Sequence, residues 1–329
     1  MNWPLPILIL LTPLSWVYGA FVRFKTWLYV SGKLRAKRLN GAVISVGNLT
    51  VGGAGKTPLV IWLAKKLMEK GKRVAILSRG YRGENGTSDE VEVMKRRISS
   101  GVRFGVGPDR FAEGRKLELE APVDIFVLDD GFQHLQLARD VDILLLDCIQ
   151  PSSSNLVLPA GRLREPISGA NRADIFVIAR DSGVPQPRDG QDDLFLSNVR
   201  VQTVRELGNL AGTVPLADLC LAPTFAFCGV AKPIRFFQFL KENGIDVRGR
   251  KSYRDHHPYS QADIDALENS AAAAGAALLI TTEKDEANLG NLRFNRLPVF
   301  VLAIDLEIER EELFLREIDR LIIENRDAR

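Results

Sequence analysis

Cysteine is scarce in this chain: Cys148, Cys220 and Cys228 are the only three in 329 residues, and no two stand in a C-x-x-C pair. This excludes a disulfide framework or a thiolate zinc site and fits reduced core thiols in a cytosolic protein. Strong charge of either sign is missing too. A formal net charge of +3 provides no basic field for nucleic acid, so no nucleic-acid partner is expected. There is no fixed-period repeat and no low-complexity tail. What remains is the composition of an ordinary α/β protein, long enough for two domains with buried cores.

The first 22 residues, "MNWPLPILILLTPLSWVYGAFV", lack any charged side chain. Basic residues follow: Arg23, Lys25, Lys33, Arg35, Lys37 and Arg38. A secretory signal carries its positive charge before the apolar run, so this order argues against one. The length barely spans a bilayer, and Pro4, Pro6 and Pro13 weaken a continuous spanning helix. Trp3, Trp16, Tyr18, Trp27 and Tyr29 instead suit a segment at the lipid headgroup level, its cations beside anionic lipid. The alternative is a greasy helix docked on the protein's own core.

From Gly41 onward, apolar runs alternate with helical patterns. "AVISVGN", "KRVAILSRG", "VDIFVLDDG", "VDILLLD" and "ADIFVIAR" are hydrophobic on both faces, as buried parallel strands are. Leu59, Val60, Leu63, Ala64 and Leu67 form one helix face, with Gly71 as its stop. The polar stretch 182–193, "SGVPQPRDGQDD", reads as a loop or hinge. Beyond it, "TFAFCGVA", "AALLITTEKD" and "LPVFVLAID" read as strands of a smaller unit, and "PIRFFQFLKENG" and "SQADIDALENSAAAAGA" as its helices. The expected fold class is α/β: an N-terminal membrane-associated helical segment (1–36), a parallel-sheet core domain with a phosphate-binding loop (37–205), and a smaller C-terminal α/β domain (206–329).

Between the first strand and the first core helix lies "TVGGAGKTP". A glycine-rich turn there exposes successive backbone N–H groups that cradle phosphate, helped by the positive end of the following helix. Gly52, Gly53, Ala54 and Gly55 form the cradle. Lys56 reaches the β- and γ-phosphates, the Thr57 hydroxyl suits Mg²⁺, and Pro58 suits the first helical turn. The usual pattern has Gly where this chain has Thr50, a departure in the motif and not in the chemistry. A partitioning-type switch ATPase carries Lys just before the glycine pair, where this chain has Val51.

"VDIFVLDDGFQH" sets Asp129 and Asp130 at the end of a buried strand, where two adjacent carboxylates need a neutralising cation. In a phosphate-loop enzyme that cation is Mg²⁺, shared by Thr57, an acid and the nucleotide. Gln133 and His134 follow in the exit loop, placed to orient water or phosphate.

In order along the chain stand "ISVGNLTVGGAGKTP", "LSRGY", "LDDGFQH", "LPAGRLREP", "DHHPY" and "TTEKD". Together they closely resemble the tetraacyldisaccharide 4'-kinases, the lipid A kinases of Gram-negative bacteria, from the apolar N-terminus to about residue 305. The resemblance implies an ATP- and Mg²⁺-dependent phosphotransferase. It would act on the 4'-hydroxyl of a tetraacylated glucosamine disaccharide 1-phosphate to form lipid IVA, in a cleft between two α/β domains. It also implies attachment to the cytoplasmic face of the inner membrane, with the lipid surface as partner and no protein partner expected.

Members of that family use the Asp of a "GDEP" motif, paired with a histidine of the C-terminal domain. This chain has no GDEP. Its "TSDEVEVMKRR" repeats the order of acid pair, apolar stretch and two arginines, which places the base at Asp89 with Glu90 beside it. Asp109 in "GPDR" is the competitor. Among the three histidines the family pattern points to His256, which holds and tunes the base, with Asp255 as a further orienting group. By resemblance alone, Arg79 and Tyr81 of "SRGY" and Arg164 and Glu165 of "GRLREP" contact phosphate, metal or substrate. Glu283, Lys284 and Asp285 of "TTEKD" face the cleft. A membrane-recruited phosphate-loop ATPase switch without a lipid acceptor is the alternative function.

Overall fold

The computed structural model describes residues 4–52, 55–80, 89–98, 101–146, 156–179, 193–209, 212–290 and 292–327. In chain order the elements begin α1 (Leu5–Val30), β1 (Ala42–Asn48), α2 (Lys56–Glu69), β2 (Val74–Ser78), α3 (Asp89–Arg97), β3 (Arg103–Val106) and α4 (Arg110–Glu120). Next come β4 (Ile125–Asp129), β5 (Val141–Leu146), β6 (Ile175–Ala179), β7 (Leu194–Glu206), α5 (Leu216–Cys220), β8 (Thr224–Cys228) and α6 (Pro233–Glu242). The chain finishes with β9 (Val247–Ser252), α7 (Gln261–Ala273), β10 (Leu278–Thr282), α8 (Glu283–Leu289), β11 (Val299–Ile308) and α9 (Glu311–Asp327).

These elements form two compact units, one of 1–87, 98–198 and 306–329, the other of 88–97 and 199–305. This division differs from the linear one expected from sequence. Helix α3 leaves the first unit to join the second, and α9 returns to the first. The returning helix is anchored by its apolar face: Phe314, Leu315 and Ile318 are buried. Phe314 meets Trp62 and Phe195 edge-on, with centroids at 5.5 and 4.9 Å. Such fully buried aromatic contacts outweigh any preference for sequence neighbours, each contributing about 0.5–1.5 kcal/mol beyond area burial.

In the first unit the strands run β3-β2-β4-β1-β5-β6-β7. The registers of the pairs from β3 through β7 are parallel. The residues of β1, β2 and β4 are all buried, which explains why these runs are apolar on both faces. The strand ends that carry chemistry are neighbours: Asn48 ends β1, Asp129 ends β4 beside it, and Ser78 ends β2 one strand further on. Ligands of parallel sheets bind at this carboxyl edge. Helix α2 stops where expected. Gly71 takes φ 76°, and its N–H donates to the Met68 carbonyl at 2.8 Å.

In the second unit the strands run β11-β10-β8-β9, also parallel. Phe236, Phe237 and Leu240 of α6 pack into one core cluster, and Ile264, Leu267 and Ala271 of α7 into another. Ser260 caps α7 in a reciprocal capping box with Asp263.

The N-terminal segment is one helix despite its prolines. Pro4 is the N-cap and Pro6 lies in the first turn, where a missing N–H is harmless; only Pro13 is interior. Helix α1 is long and apolar enough to cross a membrane by length and composition, and little of it is buried. Ser15 and Gly19 are its buried residues. The Ala160 N–H donates to Ser15 Oγ at 2.9 Å and the Tyr18 hydroxyl donates to the Arg164 carbonyl at 3.0 Å. Leu5, Ile9, Leu10, Leu14, Trp16 and Val17 are exposed. The docked-helix reading thus holds for one narrow stripe and not for the rest of the surface.

Candidate functional site

The phosphate loop opens where β1 ends. Gly52 and Gly55 take φ 112° and 83°, a region that non-glycine residues rarely enter, so glycine is required at both. Gly53 and Ala54 lie outside the described residues. Two crossings secure the loop: the Val51 N–H donates to the Arg162 carbonyl at 2.9 Å, and the Arg164 N–H donates to the Leu49 carbonyl at 2.7 Å. Thr50 has its own work. Its Oγ1 accepts from Asn48 Nδ2 at 3.1 Å, which turns Asn48 Oδ1 toward Lys56 Nζ at 3.2 Å. The residue that breaks the usual motif therefore takes part in orienting the lysine.

Asp130 occupies the left-handed region at φ 51°. Held there, its carboxylate takes an ion pair from Lys56 at 3.4 Å and a hydrogen bond from Arg164 Nη1 at 2.6 Å. Burial works to raise this carboxyl, but Lys56 and Arg164 outweigh it and hold it below the ordinary aspartate range. Asp129 is buried and accepts from the Ser78 hydroxyl at 3.2 Å. Thr57 is half-buried in the first turn of α2.

A divalent cation fits this corner. Asp130 Oδ1 is buried, and apart from the Lys56 ammonium at 3.4 Å no donor within hydrogen-bond range reaches it among the described residues. The donors are hydroxyl and carboxylate oxygens, as a hard cation requires. Among the described residues no three acids or histidines gather around one point.

Other expected contacts are employed inside the protein. Glu165 is 2% exposed; its carboxylate pairs with Arg172 at 2.9 Å and accepts from Gln133 Nε2 at 2.8 Å. Gln133 Nε2 also donates to the Asn48 carbonyl at 2.9 Å. Gln133 thus braces the end of β1 from which the loop departs, and Glu165 holds Gln133. His134 is kept neutral by burial, with Arg110 and Arg139 adding to push it down to about 4. Arg79 is exposed; Tyr81 lies outside the described residues, as do Cys148 and all but Asp193 of the 182–193 stretch. Asp109 is the N-cap of α4, accepting from the Ala112 N–H at 3.0 Å, which gives it a structural role.

The second unit holds a separate constellation. His256 also takes a left-handed conformation, φ 55°, with its N–H donating to the Gly229 carbonyl at 3.1 Å. Its Nδ1 lies 2.9 Å from Asp89 Oδ2, and Asn288 Nδ2 donates to that same oxygen at 2.9 Å. The hydrogen bond from His256 is the chief influence holding the Asp89 carboxyl below its usual value; partial burial opposes it, and Asn288 adds to it. The same bond raises His256, against burial and Lys284. Asn288 was not legible as a partner, since it lies beyond the "TTEKD" motif with no chemical signal of its own. The neighbouring histidine is separated from this pair. His257 stacks on Tyr253 with centroids at 4.5 Å and lies 3.3 Å from Asp263 of the helix cap.

The "TTEKD" acids do not share one orientation. Glu283 pairs with Arg97 at 2.9 Å. Asp285 is 1% exposed and accepts from the Gly229 N–H at 2.7 Å, the Tyr259 hydroxyl at 2.8 Å and the Thr282 hydroxyl at 2.6 Å. Only Lys284 of the three meets the His256 ring, its Nζ 3.1 Å from Nε2.

The position of Lys56 settles the class. It opens a helix at the carboxyl end of a buried parallel strand, with an acid pair at the end of the adjacent strand, as in phosphate-loop nucleotide-handling α/β proteins. Comparison narrows this further. The family model described as tetraacyldisaccharide-1-P 4'-kinase matches residues 7–322. The tetraacyldisaccharide 4'-kinase of Geobacter metallireducens is 37% identical over 333 residues, spanning 96% of this chain and 98% of the relative. That of Geobacter sulfurreducens is 36% identical over 319 residues, 88% and 86% of the two chains. The solved structure of Aquifex aeolicus LpxK, described as an "apo" form in complex with ATP, superposes with a TM-score of 0.73. It is 32% identical and covers 94% of this chain and 98% of that one. The chain belongs to the tetraacyldisaccharide 4'-kinase family, and a nucleotide switch without a lipid acceptor is not favoured.

Proposed function

We propose that this chain transfers the γ-phosphoryl group of ATP to the 4'-hydroxyl of a tetraacylated glucosamine disaccharide 1-phosphate, and that Asp89 is the base. The observation that carries the assignment is the Asp89–His256 pair at 2.9 Å. A hydrolytic switch has no need of a carboxylate oriented by histidine for an incoming alcohol, whereas an alcohol kinase does.

The loop amides and Lys56 bind the nucleotide's phosphates. Thr57, Asp129 and Asp130 are the residues that would hold Mg²⁺, which when bound neutralises charge on the transferring group. Asp89 removes the proton from the acceptor hydroxyl, whose oxygen forms the new bond to the γ-phosphorus. The bond from that phosphorus to the bridging oxygen breaks, and ADP leaves with the electron pair. Arg164 balances Asp130 before the nucleotide arrives, so the acid pair is not left uncompensated.

A hollow beside α1 is lined by Phe21 and Val22 together with Lys25, Arg164 and Arg172. Glu165 lines it too and pairs with Arg172, and Arg164 pairs with Asp130, which leaves the apolar groups and Lys25 to suit an acylated anionic acceptor. The bare face of α1, followed by its basic residues, supports attachment to the cytoplasmic surface of the inner membrane. The deciding experiment is transfer of label from γ-³²P-ATP to tetraacyldisaccharide 1-phosphate in detergent with Mg²⁺, resolved by thin-layer chromatography. Labelled lipid is expected. ATP hydrolysis with no labelled lipid would defeat the proposal.

A further inference from the structure

We infer that Lys284 is a positioning residue for the proton-accepting pair: its ammonium donates to Nε2 of His256, fixes the ring proton on Nδ1, and thereby directs that proton onto Oδ2 of Asp89. Its part in catalysis rests on the base assignment above. An ammonium group has three donors and no lone pair. Its nitrogen lies 3.1 Å from Nε2, so Nε2 must present a lone pair and the ring must carry its proton on Nδ1. The ammonium also pairs with Asp255 at 3.3 Å and Glu90 at 3.7 Å.

The surrounding turn makes the placement rigid. Thr282 caps α8, and the residues on either side of Lys284 are tied inward, Glu283 to Arg97 and Asp285 to Gly229, Tyr259 and Thr282. The charged and polar groups facing the His256 ring are Asp89 and Glu90 from α3, Lys284 and Asn288 from α8, and Asp255 beside it.

The consequence falls on the two oxygens of Asp89. Both donors, His256 Nδ1 and Asn288 Nδ2, converge on Oδ2. This assigns Oδ1 to the acceptor hydroxyl. Without Lys284 the ring is free to take a second proton. An imidazolium would then pair fully with Asp89 and make it a poorer base.

The test reads the ring directly. Full-length protein with ¹⁵N-histidine is followed by long-range ¹H–¹⁵N correlation, with His256→Gln identifying the signals. In the wild type the neutral ring, read on the alkaline side of its titration, is expected in the Nδ1–H form. In Lys284→Met the His256 pKa is expected to rise by about one pH unit or more. The acid limb of kcat should move the same way, with kcat about tenfold lower or more at pH 7 and KM for ATP little changed. An Nε2–H ring in the wild type, or an unchanged His256 titration in Lys284→Met, overturns the inference. The spectra need neither ATP nor lipid. A chain that fails to label lipid but shows the Nδ1–H ring refutes the kinase reading and leaves this placement standing; transfer with an Nε2–H ring does the reverse.

Discussion

His256 and Asp89 lie 167 residues apart in sequence, yet Nδ1 of one is 2.9 Å from Oδ2 of the other. Helix α3, which carries Asp89, makes this possible by joining the second unit as a short excursion from the first. Asp89→Asn keeps the shape and removes the basicity. We expect kcat for lipid phosphorylation to fall by about 10²–10⁴-fold with ATP affinity retained, as read by label transfer and equilibrium nucleotide binding. Unchanged turnover would return attention to Asp109, the cap of α4.

The same pair predicts a pH dependence of stability. His256 is raised above its ordinary value, so its contribution is complete below about pH 6.5 and is lost as pH rises through the raised value. Asp89 is depressed, so its contribution is present above about pH 4 and lost as pH falls through the lowered value. The destabilisation caused by His256→Gln should therefore be largest between these limits and shrink above neutrality. Thermal unfolding of both proteins across pH 4–9 checks this; a difference that grows with alkalinity contradicts it.

Gly47 lies in β1 directly against the exit loop, where an added Cβ would sit 2.6 Å from Phe132 Cβ and 2.8 Å from the Phe132 nitrogen. Backbone cannot give way there as a flexible side chain would. Gly47→Ala should cost about 1–3 kcal/mol in denaturant unfolding. It should also weaken nucleotide binding, because displacing Phe132 moves Gln133 away from the Asn48 carbonyl. A neutral substitution would show that the loop shifts freely.

On α1, Leu10 and Leu14 are 72% and 56% exposed. The double change Leu10→Asp, Leu14→Asp removes apolar surface without touching the buried Ser15 and Gly19. Co-sedimentation with anionic vesicles should fall several-fold, while unfolding stability stays within about 0.5 kcal/mol. Full retention on vesicles would transfer the docking role to another surface.

The buried strands were legible because the physics is written in single residues: β1, β2, β4, β5 and β6 are mostly apolar on both faces. Others were not. β3 has only four residues, and β9, "VRGRKS", is largely exposed and polar, so neither shows a hydrophobic signature. β7 is apolar in its first residues and mixed in the rest, which hides its length. Lys56 and Asp130 were readable from type and spacing, whereas Asp89 and His256 were named only through the family resemblance. The internal duties of Glu165 and Gln133, and the divergent orientations of Glu283, Lys284 and Asp285, were not. A motif records neighbours along the chain, whereas a helix's first turn sends consecutive side chains in different directions.

The return of α9 to the first unit has a consequence for biosynthesis. Besides Phe314 against Trp62, the helix ties Glu311 to Lys66 on α2 at 2.8 Å, Asp319 to Lys70, the C-cap of α2, at 2.8 Å, and Asn325 to the Asp140 carbonyl at 2.8 Å. The helix behind the phosphate loop is thus clamped by residues more than two hundred positions later in the sequence. A nascent chain holding every loop residue still lacks one wall of its nucleotide-binding half until α9 has been made. Premature termination after β11 would therefore disable ATP handling while sparing the half that carries the histidine.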